Sequence, residues 1–145
     1  MEIRLSTHGA YHHQYHLVWI PKYRKAVLKG DLKEFLAKRL SDIQQYHPEV
    51  EIEQFSVRPD HVHLVAVIPP KYAVSAIVGT IKANTGREIR QRFPWVKKVY
   101  GRNEFWSVGF FSSTVGIDEA VIKRYVEFQE KVDTGQLKLQ LDFGF

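Results

Sequence analysis

The chain has 145 residues, 21 Lys and Arg against 16 Asp and Glu for a net charge of +5, 44% hydrophobic residues and no cysteine. That length and composition predict one domain over 1–145 around a single core, and the missing thiols exclude a disulfide framework or a thiolate zinc site. The longest uncharged apolar stretch, Leu64–Pro70, is too short to cross a bilayer, and the first ten residues lack the apolar core of a secretory signal, so a cytoplasmic protein is expected.

Tyr11 to Ile20 is rich in aromatic and β-branched residues and ends at Pro21, which predicts a strand followed by the basic turn Lys22-Tyr23-Arg24-Lys25. Asp31 and Glu34 read as a capping box. Leu32, Phe35, Leu36, Leu40 and Ile43 then recur at helical spacing to about Tyr46. Val50 and Ile52 alternate with glutamates and predict a strand with one wet face, running to Val57. His61 to Ile68 is apolar on both faces and reads as a central strand. Val74, Ile77, Val78 and Ile81 predict a second helix, whose pattern resumes at Ile89 and Phe93 beyond Gly86, so a bend or break is expected at that glycine.

Glu104 to Ser112 is aromatic and reads as a fourth strand, with Gly109 marking a bulge or the close approach of another backbone. Asp118 caps a last helix, Ile117 and Ile122 are spaced as a hydrophobic staple, and Val121, Tyr125, Phe128 and Val132 form the expected apolar stripe before Gly135 closes it. The order β-α-β-β-α-β predicts an α+β fold. It is the split β-α-β ferredoxin-like antiparallel sheet with helices on one face, plus an extra C-terminal helix carrying Tyr125. The tail 136–145 fits a short strand or a dimer arm.

Charge is concentrated in one segment. Between positions 82 and 102, Lys82, Arg87, Arg90, Arg92, Lys97, Lys98 and Arg102 face only Glu88, while the rest of the chain is close to neutral. Phe93, Trp95 and Tyr100 are interleaved with these cations, a mixture suited to phosphates and unstacked bases, although a solvated basic face would read the same way.

On a strand, His61 and His63 point to one face about 6.6 Å apart, so two imidazoles can share a cation while Val62 enters the core. Two ligands do not make a site. On the last helix Tyr125 and Gln129 lie one turn apart, and a carboxamide oxygen is a hard donor suited to Mg²⁺ or Mn²⁺. A tyrosine on an apolar helix stripe is, however, more often core filler than catalyst.

The combination of motifs resembles a known family. Tyr15-His16-Leu17-Val18-Trp19-Ile20-Pro21-Lys22-Tyr23-Arg24, Pro59-Asp60-His61-Val62-His63-Leu64, Trp106-Ser107 and Tyr125-Val126-Glu127-Phe128-Gln129 occur in the order found in single-tyrosine HUH transposases, the small TnpA-type enzymes of single-strand insertion sequences. Two departures stand out. A tyrosine often follows Trp-Ser in that family where this chain has Gly109-Phe110-Phe111, and Lys82–Gly86 matches loosely.

The resemblance implies a DNA transposase that cleaves and rejoins single-stranded DNA at insertion-sequence ends through a 5′-phosphotyrosine, recognising subterminal hairpins. It implies His61, His63 and Gln129 as ligands of Mg²⁺ or Mn²⁺ and Tyr125 as nucleophile. It further implies a homodimer with active sites shared between chains, in the nucleoid of a prokaryote. Lys82, Arg87, Arg90 and Arg92 are the cations expected to meet DNA. His16 reads as a hydrogen-bonded structural residue, and His8, His12, His13 and His47 as surface residues. The other readings are a domesticated hairpin-repeat nuclease of the same family and a non-catalytic single-strand nucleic-acid binding module.

Overall fold

The computed structural model describes residues 3–6 and 9–137. His8 and the tail from 138 onward, read above as a surface residue and as a strand or dimer arm, lie outside them. Four strands form an antiparallel sheet in the order β4-β5-β3-β6: β3 (Gln14–Trp19), β4 (Glu51–Arg58), β5 (His61–Val67) and β6 (Phe111–Ser113). This is the ferredoxin-like order expected from the sequence. A small hairpin that the sequence reading missed, β1 (Arg4–Ser6) with β2 (Gly9–Tyr11), precedes it, so the predicted first strand starts later, at Gln14.

Alternation along β3 and β5 separates two layers. Leu17 and Trp19 of β3 and Val62, Leu64 and Ala66 of β5 join the main core, covered by α1 (Gly30–Ser41) and α3 (Val74–Arg92). Val18 and Ile20 point the other way and meet Ile122, Tyr125 and Val126 of α5 (Glu119–Asp133). His16, His61 and His63 share that second face, because each differs by an even number of residues from a neighbour on it. The last helix therefore lies on the opposite face from α1 and α3. Leu64 is fully buried, and Leu64→Ala is expected to cost about 2–5 kcal/mol of unfolding free energy, read from urea denaturation.

Several local expectations are corrected. Asp31 is not the N-cap of α1: Gly30 takes a left-handed φ of 60°, the helix begins there, and Asp31 sits in the first turn, where its charge faces the helix N-terminus. The first helix also stops at Ser41, and Asp42, held by Lys38 and Arg39, separates it from the short α2 (Ile43–Tyr46). Helix α3 runs unbroken through Gly86. That glycine is buried, and a Cβ there would lie 3.4 Å from both the Trp106 ring and the Arg90 guanidinium, so it packs closely there without bending the helix. Pro94 begins the short α4 (Trp95–Tyr100).

The fourth strand is only three residues long, with Trp106 making one isolated pairing to Pro21. The reason lies in Lys82, whose ammonium takes the carbonyls of Ser107, Val108 and Gly109 at 2.6, 3.3 and 2.9 Å. Carbonyls committed to an ammonium are lost to a sheet ladder. In α5 the buried set is Ile122, Tyr125, Val126 and Gln129, whereas Phe128, placed in the expected stripe, is 46% exposed. Asp118 does cap α5, accepting from Val121 N, and Ile117 packs beside Ile122 as the staple predicts. Gly135, with φ 79°, closes the helix as expected, and the Gly135 and Gln136 N–H groups donate to Val132 O and Lys131 O.

Candidate active site

The second sheet face carries two groups of candidate residues. On β5, His61 donates from Nδ1 to Asp60 Oδ1 at 2.9 Å, and His63 Nε2 lies 3.3 Å from His16 Nδ1 on β3. His16 is thus a hydrogen-bonded neighbour of the candidate ligand, as the sequence suggested. Burial pushes the His63 imidazole down, reinforced by His16 and His61 and opposed by Glu119, so His63 stays neutral at physiological pH. Burial also pushes the Asp60 carboxyl up, but the bonds from His61 and Arg24 outweigh it and hold Asp60 ionised.

On α5, the Tyr125 hydroxyl donates to Gln129 Oε1 at 3.3 Å, one helical turn away, and Gln129 Nε2 donates to Asp133 Oδ1 at 3.1 Å. The Tyr125 ring tilts against Phe111 of β6, with centroids 5.8 Å apart. Tyr125 is only 8% exposed, and burial, with Asp133 nearby, pushes its phenol above the usual range. Left to itself this hydroxyl would not ionise near neutral pH.

Strand pairing places these groups on one face. Val18 of β3 pairs with His63 of β5 on one side and with Phe111 of β6 on the other, and Tyr125 packs on both Val18 and Phe111. Among the described residues no hydrogen bond or ring contact joins Tyr125 or Gln129 to His61 or His63. The single chain pairs His61 with His63 and Tyr125 with Gln129, as two halves.

The donor chemistry of each half suits a hard divalent cation. Asp60 accepts the Nδ1–H of His61, which leaves Nε2 with its lone pair, neutral His63 keeps a lone pair on Nδ1 when its Nε2–H donates to His16, and Asp133 accepts an amide N–H of Gln129, leaving Oε1 to coordinate. The sequence reading named Asp60 only as a neighbour and missed Asp133 and Arg24. Asp133 could have been found from its spacing of four to Gln129 on one helix.

Gly109, expected to mark a bulge or the close approach of another backbone, instead meets a side chain: a Cβ there would sit 2.6 Å from Gln129 Oε1. Gly109→Ala should therefore displace the carboxamide while sparing the fold. The expected result is a loss of about 100-fold in any reaction that uses Gln129 Oε1, as for a misplacement near 1 Å, with little change in Tm. His63 gives a pH signature of its own. Since its folded-state pKa lies below 6.5, the unfolded chain takes up that proton first, and its contribution to stability is lost as pH falls through that range. The urea midpoint is expected to drop between about pH 7.5 and about pH 5.5, and less steeply in His63→Gln.

The basic segment forms the wall of a concavity on the other side of the sheet. About 670 Å³ lies between α3 and the 103–110 loop, lined among others by Lys82, Arg87, Arg90, Phe105, Trp106 and Phe110. Glu88, the acidic residue of this stretch, is ion-paired to Arg39 on α1, and the carboxylate on the wall of the concavity, Glu104, is paired with Lys22. Lys82 is largely buried, and burial pushes its ammonium down to about 8, so it is still mostly charged at neutral pH where it holds the loop carbonyls. Arg87 and Arg92 are exposed and Arg90 is half-buried. Among the described residues none of these three arginines is in an ion pair, and Arg92 is not among the lining residues. Trp106 donates from Nε1 to Thr85 Oγ1 at 3.0 Å, which fixes the aromatic wall against α3.

Comparison with known proteins gives consistent similarities. A family model described as IS200-like transposase matches residues 9–129. The transposase for insertion sequence element IS200 of Salmonella typhimurium (strain LT2) is 30% identical over 127 residues, 88% of this chain and 83% of that protein. The ISDra2 transposase TnpA of Deinococcus radiodurans is 32% identical over 131 residues, 89% and 92% of the two chains. A crystal structure described as that of a transposase from Deinococcus radiodurans superposes with a TM-score of 0.76 at 27% identity, covering 87% of this chain and 97% of the other.

Proposed function

Since the chain belongs to the family of IS200-like transposases, and is thus an enzyme that cuts and transfers DNA, we propose that it works on single strands, with Tyr125 as the nucleophile and a 5′-phosphotyrosine as the intermediate. The observation that carries this is the Tyr125 hydroxyl bonded to the Gln129 carboxamide oxygen, on the sheet face that also bears His61 and His63.

His61 Nε2, His63 and Gln129 Oε1 would hold a Mg²⁺ or Mn²⁺ ion. Such an ion, when bound, neutralises charge on the phosphoryl oxygens and stabilises a phenolate that burial disfavours. Tyr125 Oη attacks the phosphorus, forming a P–O bond to the protein and breaking the bond to O3′, which leaves as a 3′-hydroxyl. The phosphodiester energy is retained in the tyrosyl ester. A second 3′-hydroxyl can later attack the same phosphorus, restoring the phenol and joining the new strand.

The histidines stand on β5 and the Tyr125–Gln129 pair on α5, with no direct bond between them among the described residues, and the same reading extends to a homodimer in which the helix bearing Tyr125 completes the histidine half of the partner chain. The concavity beside α3 fits an imperfect hairpin: Arg87 and Arg90 for phosphates, with exposed Arg92 at the end of the same helix adding charge outside the lining, Lys82 adding charge from beneath the loop, and Trp106 and Phe110 for unpaired bases.

The test is incubation with end-labelled single-stranded hairpin DNA and Mg²⁺, followed by denaturing electrophoresis. A covalent adduct on the new 5′ end at the break, abolished by EDTA and weak with duplex DNA, is the expected result. Tight binding with no cleavage would favour the binding module instead.

A further inference from the structure

One short turn touches both halves of the site. Lys22–Arg24 follows β3 and contains two successive side-chain-bearing residues in the left-handed region, Tyr23 at φ 62° and Arg24 at φ 54°. L-residues seldom adopt that conformation, and a pair of them persists only where surrounding bonds over-determine it. Here they do: Lys22 N donates to Phe105 O at 2.8 Å, Arg24 N to Pro21 O at 2.9 Å, and Lys22 Nζ to Glu104 at 2.9 Å.

What the turn presents in that conformation is specific. The Arg24 guanidinium donates from Nε to Asp60 Oδ2 at 2.9 Å, while the other oxygen of Asp60 receives His61 Nδ1. The Tyr23 N–H donates to Asp133 Oδ2 at 3.0 Å, while Asp133 Oδ1 receives Gln129 Nε2 at 3.1 Å and Ser107 Oγ at 2.8 Å. A second nitrogen of Arg24, Nη1, reaches Glu130 at 3.2 Å, one residue beyond Gln129.

We propose that the Lys22-Tyr23-Arg24 turn is a positioning element for both halves of the metal site, acting on His61 through Asp60 and on Gln129 through Asp133. The logic is one of donors and acceptors. An ionised carboxylate only accepts, so Asp60 requires the proton of His61 on Nδ1 and keeps Nε2 as the ligand atom. By the same rule Asp133 must face the NH₂ end of Gln129, which prevents the carboxamide from flipping and keeps Oε1 on the side of the Tyr125 hydroxyl. Neither carboxylate could hold its angle alone on a surface. Arg24 and the Tyr23 N–H pin the outer oxygen of each, and the left-handed backbone is what aims them in different directions.

This inference rests on the metal reading above, and the experiment separates the two. Mn²⁺ binding to the full chain without DNA is followed by electron paramagnetic resonance for wild type, His61→Ala, Arg24→Met, Arg24→Lys and Asp133→Asn. His61 is also assigned by long-range ¹H–¹⁵N NMR. Arg24→Met and Asp133→Asn are each expected to weaken Mn²⁺ by about 10- to 100-fold, the usual cost of losing an outer partner of a ligand, with Arg24→Lys in between. His61 is expected as the Nδ1–H tautomer in wild type and as a mixture in Arg24→Met. A purely structural turn would lower Tm and leave both readouts of the folded protein unchanged. If His61→Ala weakens Mn²⁺ but Arg24→Met and Asp133→Asn bind it within twofold of wild type, the positioning role is overturned. If wild type and His61→Ala bind Mn²⁺ alike, the metal reading fails and this inference falls with it. Should Arg24→Met not fold, Arg24→Lys, which keeps the charge but cannot span Asp60 and Glu130 together, gives the same comparison.

Discussion

Tyr125→Phe is expected to abolish the covalent protein–DNA adduct and to lower strand cleavage by about 10⁴-fold or more, as when any enzyme loses the atom that attacks. The substitution removes one oxygen and little else. The ring would keep its packing on Val18, Ile20 and Phe111, and the hydroxyl gives up a single bond to Gln129. Stability should change by about 1 kcal/mol or less, the net worth of one such bond. Loss of chemistry with an unaltered fold is thus the signature, measured by denaturing electrophoresis beside thermal unfolding. Cleavage at wild-type rate in Tyr125→Phe would remove the tyrosine from the mechanism and leave a metal-activated water as the nucleophile.

Mixing two dead chains should restore activity. A Tyr125→Phe chain keeps its histidines, and a chain with both His61→Ala and His63→Ala keeps its tyrosine and glutamine. If each site takes its histidines from one chain and its α5 from the other, a mixed dimer contains one intact site and one doubly broken site. With equal mixing half of the dimers are mixed, so about a quarter of wild-type activity is expected. Sites built within one chain give no activity from any pairing, so the outcome separates the two arrangements by far more than experimental error. Within one chain no described hydrogen bond joins Tyr125 or Gln129 to His61 or His63, so α5 is not tied to its own histidines and the mixing experiment decides between the arrangements.

Much of this was legible in the residues because it is local. Alternation in His61–Val67 places both histidines on one face whatever the strand pairs with, and a spacing of four places Gln129 beside Tyr125 on any helix. Capping by Asp118 and closure at Gly135 were also readable, since both depend on residues within one turn. Where the reading went astray, a distant partner had intervened. Gly86 looked like a helix breaker until Trp106, twenty positions on, was seen to need the space. Gln129 is polar and was left out of the buried stripe, yet Gly109, Asp133 and Tyr125 together give it a buried place. Lys82 was grouped with the surface cations, and its ammonium instead ties up three carbonyls of the loop after Trp106, shortening the fourth strand.

The sequence by itself determined the main strands and helices and the ferredoxin-like order, because periodicities of 2 and 3.6 and capping chemistry act over a few residues, while the roles expected of His61, His63, Gln129 and Tyr125 came from the family resemblance of their motifs. Only the tertiary structure decided that α5 covers the face opposite α1 and α3, that it lies on the sheet face bearing the histidines, and that the turn at Tyr23 and Arg24 reaches Asp60 and Asp133. Those contacts join residues 36 and 110 positions apart. Such pairs meet only once strand register has been chosen, and register is a property of the assembled sheet rather than of any one segment.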